Sequence, residues 1–137
     1  MIALDTNVLA RLVTNDNRTQ AKEAATLIDS GVALFVPASV MLELEWVLRG
    51  AYQLDKKTIV RTFEHLLSIR NVSFERQADV EIALQHYALG FDFADALHHS
   101  ACANCKAIAS FDKQFQKLVT KTKLKPSVNT PNTFNKT

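Results

Sequence analysis

Glycine is scarce in this chain, at three residues in 137. None of the three belongs to a GxGxxG or GxxxxGK run, so the usual glycine-rich cradle for a nucleotide phosphate is excluded. Cysteine is rarer, at two. The opening Met1–Asp5 has no basic region followed by an apolar one, so no secretory leader is read there and the expected compartment is the cytoplasm. Two cysteines in that setting do not suggest a disulfide framework. No apolar run approaches the roughly 18 residues of a membrane span, and no membrane association is expected. Internal repeats and linkers are also missing. What is present is ordinary for a folded chain: 47% hydrophobic and 22% charged residues, a balance that argues against disorder. The length suits a single domain over residues 1–137 with a real core.

Short apolar segments alternate with longer helical patterns. Strands are expected at Ile2–Leu4, Ala33–Val36, Val72–Phe74 and Ala107–Ser110. Helices are expected from Asp5 to about Thr14, and over Arg18–Ser30, Ser39–Gln53, Lys56–Ser68, Glu75–Leu89, Phe93–Asn104 and Lys113–Thr120. Gly31 and Gly90 close two of them, and Gly50 is a weak point in a third. From about residue 121 the tail is loosely specified, with one further short strand near Ser127–Asn129. Strands joined by helices imply an α/β fold with a parallel sheet covered on both faces.

In such sheets ligands collect beyond the carboxyl ends of the strands. Asp5 follows the first strand, Asp112 follows the fourth, and Asp95 lies in the first turn of its helix. Each also has a plain structural role. Asp5 and Asp112 suit N-caps, and Asp92-Phe93-Ala94-Asp95 has the spacing of a capping box. Capping and metal binding are both open for these three acids taken singly.

Glu43 reads differently. Steps of 100° per residue put Val40, Val47 and Trp46 within roughly 40–80° of it, an apolar arc around a carboxylate. A carboxylate there needs a cationic partner, a metal or a raised pKa. Glu45 falls on the far side, where it can pair with Arg49 in water. Met41 and Leu48 are apolar on the back of the same helix, which suits either core packing or a second buried surface.

Clustered carboxylates without Cys or His favour a hard ion, Mg2+ or Mn2+ rather than zinc. One ion or two is open. With Asp5, Glu43, Asp95 and Asp112 set aside for metal, 16 basic residues face 10 of the 14 acidic ones. A basic surface around an acidic hole suits a phosphodiester substrate and metal-assisted hydrolysis.

Four segments, in order, resemble one known family: LDTNVLARLVTND (4–16), LELEWVLRGAY (42–52), GFDFADALHHSA (90–101) and AIASFDKQF (107–115). They are similar to the PIN-domain toxins of the VapC type, the ribonuclease halves of type II toxin–antitoxin pairs. The resemblance runs from Ile2 to about Phe115. It implies a three-layer α/β/α sandwich with a mainly parallel sheet of four to five strands, and RNA hydrolysis dependent on Mg2+ or Mn2+. It assigns the catalytic, metal-holding role to Asp5, Glu43, Asp95 and Asp112. Thr6, Asn7 and Ser110 are then supporting residues, and Asp92 is a cap or an outer-shell ligand. Phe115 stands where some relatives carry another acid, which leaves a four-acid site. A homodimer, a small cognate antitoxin and an RNA substrate, transfer RNA among the candidates, are the implied partners. Arg11 and Lys113 are candidate contacts to substrate or partner.

Competing readings attach to other residues. His98, Cys102 and Cys105 share one helix stripe and include a C-x-x-C spacing, but no second ligand pair completes a zinc site. Because Asp95 lies on almost the same stripe, a buried face with thiols acting as small hydrophobes is expected instead. His65, His86 and His99 are expected at or near the surface, Trp46 in the core, and Lys117, Lys121, Lys123 and Lys125 on a solvated face or an RNA path. A non-catalytic binding module and a phosphatase with Asp5 as nucleophile are the alternative functions. The second prefers a DxD opening where this chain has Asp5-Thr6-Asn7.

Overall fold

The computed structural model describes residues 1–135. Its contacts divide the chain into two compact units, Met1–Val80 and Glu81 onward. The division falls inside one helix. The last two residues of the expected domain span lie outside the described residues.

The first unit begins with β1 (Ile2–Ala3), α1 (Thr6–Thr14), α2 (Arg18–Asp29) and β2 (Leu34–Val36). It continues with α3 (Ala38–Gly50), α4 (Lys56–Leu67), β3 (Val72–Phe74) and the start of α5 (Gln77–Ala88). The three strands form one parallel sheet in the order β1-β2-β3. Ile2 faces Leu34, Leu34 faces Val72, and Val36 faces Phe74. Leu34 and Val36 on the central strand are fully buried, as a parallel strand between covering layers requires. Each helix shows one apolar stripe to the core: Leu9 and Ala10, Ala21 and Ala24, Met41, Leu44 and Leu48, and Ile59, Phe63 and Leu66. Asn71 closes the corner before β3, its side-chain amide donating to the carbonyls of Ile28 and Val32 at 3.0 and 2.8 Å.

The second unit holds the rest of α5, then α6 (Phe93–Ala101), β4 (Ala107–Ala109), α7 (Lys113–Thr122) and β5 (Ser127–Asn129), ending in a 3-10 turn at Pro131–Phe134. β4 and β5 pair in parallel, Ala107 with Ser127 through Ala109 with Asn129. Its buried side chains are largely aromatic: Tyr87, Phe91, Phe93 and Phe115, with Leu84, Leu97, Val119 and Val128. Tyr87 meets Phe93 edge to face at 5.4 Å, and Phe91 meets Phe115 at 6.4 Å, a geometry that aromatic quadrupoles favour. Gly90 turns the chain out of α5 at φ +118°, a conformation side chains with a Cβ rarely adopt.

The expected α/β class holds: seven α-helices among the described residues, and every strand pair parallel. The fifth strand at Ser127–Asn129 is also present. The helix from Phe93 is shorter than its periodicity suggests. It stops at Ala101, where Cys102 leaves helical geometry at φ −101°, ψ 21°. No helix among the described residues is long and apolar enough to cross a membrane.

Candidate functional site

Two of the sequence-predicted acids belong to the first unit. Asp5 follows β1 and occupies the N-cap position of α1 in extended geometry, yet its side chain makes no capping hydrogen bond. The contrast is internal to the chain. Asn17, Asp55, Asp92 and Asp112 cap α2, α4, α6 and α7 respectively, each through its side chain. Asp5 is exposed, and its carboxylate is not spent on the helix it opens. Next to it Thr6 is 3% exposed and its Oγ1 is buried with no hydrogen-bond partner, while Asn7 is exposed.

Arg11, one and a half turns on, is already engaged. Its Nε donates to Gln20 Oε1 at 2.8 Å, and its Nη1 reaches Asp16 at 3.0 Å and Tyr52 Oη at 3.0 Å. Tyr52 in turn donates to Asp16 Oδ2 at 2.5 Å. That phenol, chiefly, and then Thr14 and Arg11 hold the Asp16 carboxyl below its ordinary range.

On α3 the helical-wheel expectation is reversed. Glu43 is exposed, and so is Trp46, at 64%. Glu45 is the buried acid, at 4%, and Arg49 Nε meets its Oε2 at 2.8 Å. The buried residues of this helix are Val40, Met41, Leu44, Glu45 and Leu48, so Met41 and Leu48, read as the back of the helix, face the core. Glu43 therefore needs no partner to offset burial, and Trp46 is a surface aromatic.

The other acids belong to the second unit. Asp92 Oδ2 accepts from the Asp95 backbone N–H at 3.2 Å, the first half of the expected capping box. Asp95 is half-buried, and its carboxyl is pushed up from the ordinary aspartate range. Loss of water does most of this, the negative charges of Asp92 and Asp112 add to it, and His98 partly offsets it. Asp112 follows β4 and caps α7, its Oδ1 accepting from Phe115 N–H at 3.1 Å. Ser110 orients that cap: its Oγ accepts from Asp112 N–H at 3.0 Å, and its own N–H donates to Asn129 O at 2.9 Å. Lys113 opens α7 and is exposed. Asp92 and Asp112 thus both disfavour an ionised Asp95, and among the described residues none of these three acids is in a salt bridge.

All-oxygen donors under like-charge strain suit a hard divalent cation in their chemistry. Among the described residues, however, no three His, Cys, Asp or Glu side chains are gathered closely enough to hold one. The donor chemistry fits; a closed shell is not formed.

Other expectations need correction. Cys102 is half-buried and Cys105 exposed, neither of them in a disulfide, and His98 is exposed, so that stripe is not a buried face. The helix ends before reaching Cys105. His65 is exposed and His86 half-buried, but His99 is 2% exposed and donates from Nε2 to Pro126 O at 2.8 Å. His86 lies 6.0 Å from the His99 ring, with its Nδ1 buried and unpartnered. Phe115 is core, as its non-acidic character requires. Phe111, between Ser110 and Asp112, was given no role by the sequence and is 81% exposed. An aromatic directly before an N-cap was the available signal.

A family model for the PIN domain matches residues 2–121. No curated protein and no solved structure gives a significant match to the chain.

Proposed function

Because the chain belongs to the PIN-domain family, whose members are generally nucleases that use divalent metal ions, we propose that it is a Mg2+- or Mn2+-dependent endoribonuclease. In this reading it is the toxin of a VapC-type pair, neutralised by a small cognate antitoxin and acting as a homodimer. The observation that carries the nuclease reading is the half-buried Asp95, which the charges of Asp92 and Asp112 disfavour and which has no salt-bridge partner among the described residues. Like charges offset only in part, here by His98, are costly to hold near a half-buried carboxylate, and such strain is characteristic of sites that complete themselves with a ligand.

Asp5, Glu43, Asp95 and Asp112 would hold the ion. When bound, it supplies water activation and neutralises charge on the phosphodiester. The chain's own residues do the positioning. Ser110 and Asn129 fix the turn that carries Asp112, and Asp92 fixes the first turn of α6 and so the base of Asp95. Asp5 keeps its carboxylate free of capping duty. Thr6 and Asn7 support it, and Lys113 contacts substrate.

The test is cleavage of single-stranded and structured RNA by purified protein free of antitoxin. Cleavage is expected with Mg2+ or Mn2+, to stop with EDTA, and to be lost in Asp5→Asn and Asp95→Asn. Exposed Glu64, changed to Gln, is the control. Cleavage indifferent to metal would refute the proposal. For the toxin role, induced expression should arrest growth, co-expression of the neighbouring small gene should relieve it, and sequencing of RNA ends after brief induction should identify the target, a transfer RNA among the candidates. Harmless expression of the active chain would remove the toxin assignment.

A further inference from the structure

Phe111 is a large apolar side chain in a turn that is held on both sides. Ser110 N–H donates to Asn129 O at 2.9 Å, Gln116 Nε2 donates to Ser110 O at 2.8 Å, and Asp112 N–H donates to Ser110 Oγ at 3.0 Å. Between these anchors Phe111 is 81% exposed. The chain thus orders an aromatic residue without burying it. Immediately beyond, α7 carries Lys113, Lys117 and Lys121 at every fourth position, all exposed. Steps of four residues advance about 6 Å along the axis and drift about 40° around it, so the three ammonium groups line one side of the helix. The opposite side is the buried one, with Phe115 and Val119. Among the described residues no lysine of this stripe is in an ion pair.

We propose that Phe111 and the Lys113–Lys117–Lys121 stripe form a track for single-stranded RNA, Phe111 stacking on a base and the lysines holding successive phosphates. This rests on the ribonuclease reading for the identity of the ligand. A ring with a free face stacks on any base, and cations at regular intervals neutralise a backbone without reading sequence. The track begins at the residue before Asp112, so the strand it holds is the one delivered to that carboxylate. Lys123 and Lys125, beyond the left-handed end of the helix at Lys123, are off the stripe and take no part.

Binding of a short fluorescent single-stranded RNA, measured by anisotropy with the full-length Asp5→Asn chain in EDTA, tests this without cleavage. Phe111→Ala should weaken binding roughly 5- to 150-fold, the range for loss of one base stack, and leave the salt slope unchanged. Phe111→Tyr should restore binding. On a strand with the stacked base removed, the Phe111→Ala and parent chains should bind alike. The triple change to Gln at Lys113, Lys117 and Lys121 should flatten the slope of log affinity against log salt by about 2, at roughly 0.7 per phosphate contact on a single strand. Binding that follows this pattern upholds the track even if Mg2+ or Mn2+ produces no cleavage. Metal-dependent cleavage with binding indifferent to all four residues overturns the track and leaves the nuclease reading intact. Absence of RNA binding in the parent chain also overturns it.

Discussion

Asp5 and Asp112 stand at equivalent places, each just after a strand and at the start of a helix, but only Asp112 bonds to its helix. Replacing each by Ala and by Asn separates charge from capping. Asp112→Ala removes the bond to Phe115 N–H, and loss of an N-cap costs about 1 kcal/mol, within roughly 0.5–2. For a chain of this size that lowers the melting temperature by roughly 3–5 °C per kcal/mol. Asp112→Asn keeps a good cap and removes one of the charges that raise Asp95, so it should melt at or slightly above the parent temperature. Asp5→Ala has no cap bond to lose and should melt with the parent. In activity the order disappears: all these variants should be inactive. Thermal denaturation in EDTA beside a cleavage assay gives both readings. If Asp5→Ala lost as much stability as Asp112→Ala, or if Asp112→Asn fell as far as Asp112→Ala, the division of labour between the two acids would be wrong.

Glu45→Gln should destabilise by about 1–3 kcal/mol in urea. That is below the 3–5 typical of breaking fully enclosed pairs, because Arg49 is half in water and its freed charge can hydrate. Glu43→Gln should cost nothing measurable, and equal losses would contradict the burial of α3. Asp95→Asn should raise metal-free stability at neutral pH, since the ionised form is the disfavoured one; a loss would show that Asp95 is held by an attractive partner. Burial chiefly, and then His99, depresses the His86 pKa below 6.5. As pH falls through 6.5 the unfolded chain takes up this proton before the folded one does, so stability should decline with acidification until the depressed folded pKa is reached. His86→Gln should flatten that decline in urea midpoints taken across the window, and an unchanged slope would assign it to another group.

The elements were legible because their signals are local. A three-residue apolar segment before an Asp, or a stripe at helical spacing closed by glycine, depends on few neighbours, and strand positions and parallel pairing followed from that alternation. The orientation of α3 was not legible from the arc around Glu43. A wheel orders residues around an axis without saying which arc faces inward. Val40, Val47 and Trp46 made one side look like the core, but of these only Val40 is buried, beside the i, i+3, i+7 ladder of Met41, Leu44 and Leu48 that marks the actual one. Glu45 sits on that ladder, and pairing with Arg49 is what makes its burial tolerable. His99 was misplaced for a similar reason, since its partner Pro126 lies 27 residues away and no local pattern predicts it. Motif and order picked out the acids as a candidate set. Their capping duties were not legible, because Asp5 and Asp112 carry the same local signature and only backbone geometry tells them apart.

Glu43 and Glu45 face opposite ways from one helix, so they expose the gene to two kinds of failure. A change at exposed Glu43 leaves a full complement of folded chain, so any failure it causes is one of function and not of folding. A change at Glu45 instead breaks the buried pair with Arg49 and lowers the amount of folded protein. Two codons apart, one lesion leaves a folded chain with one acid fewer and the other leaves less chain.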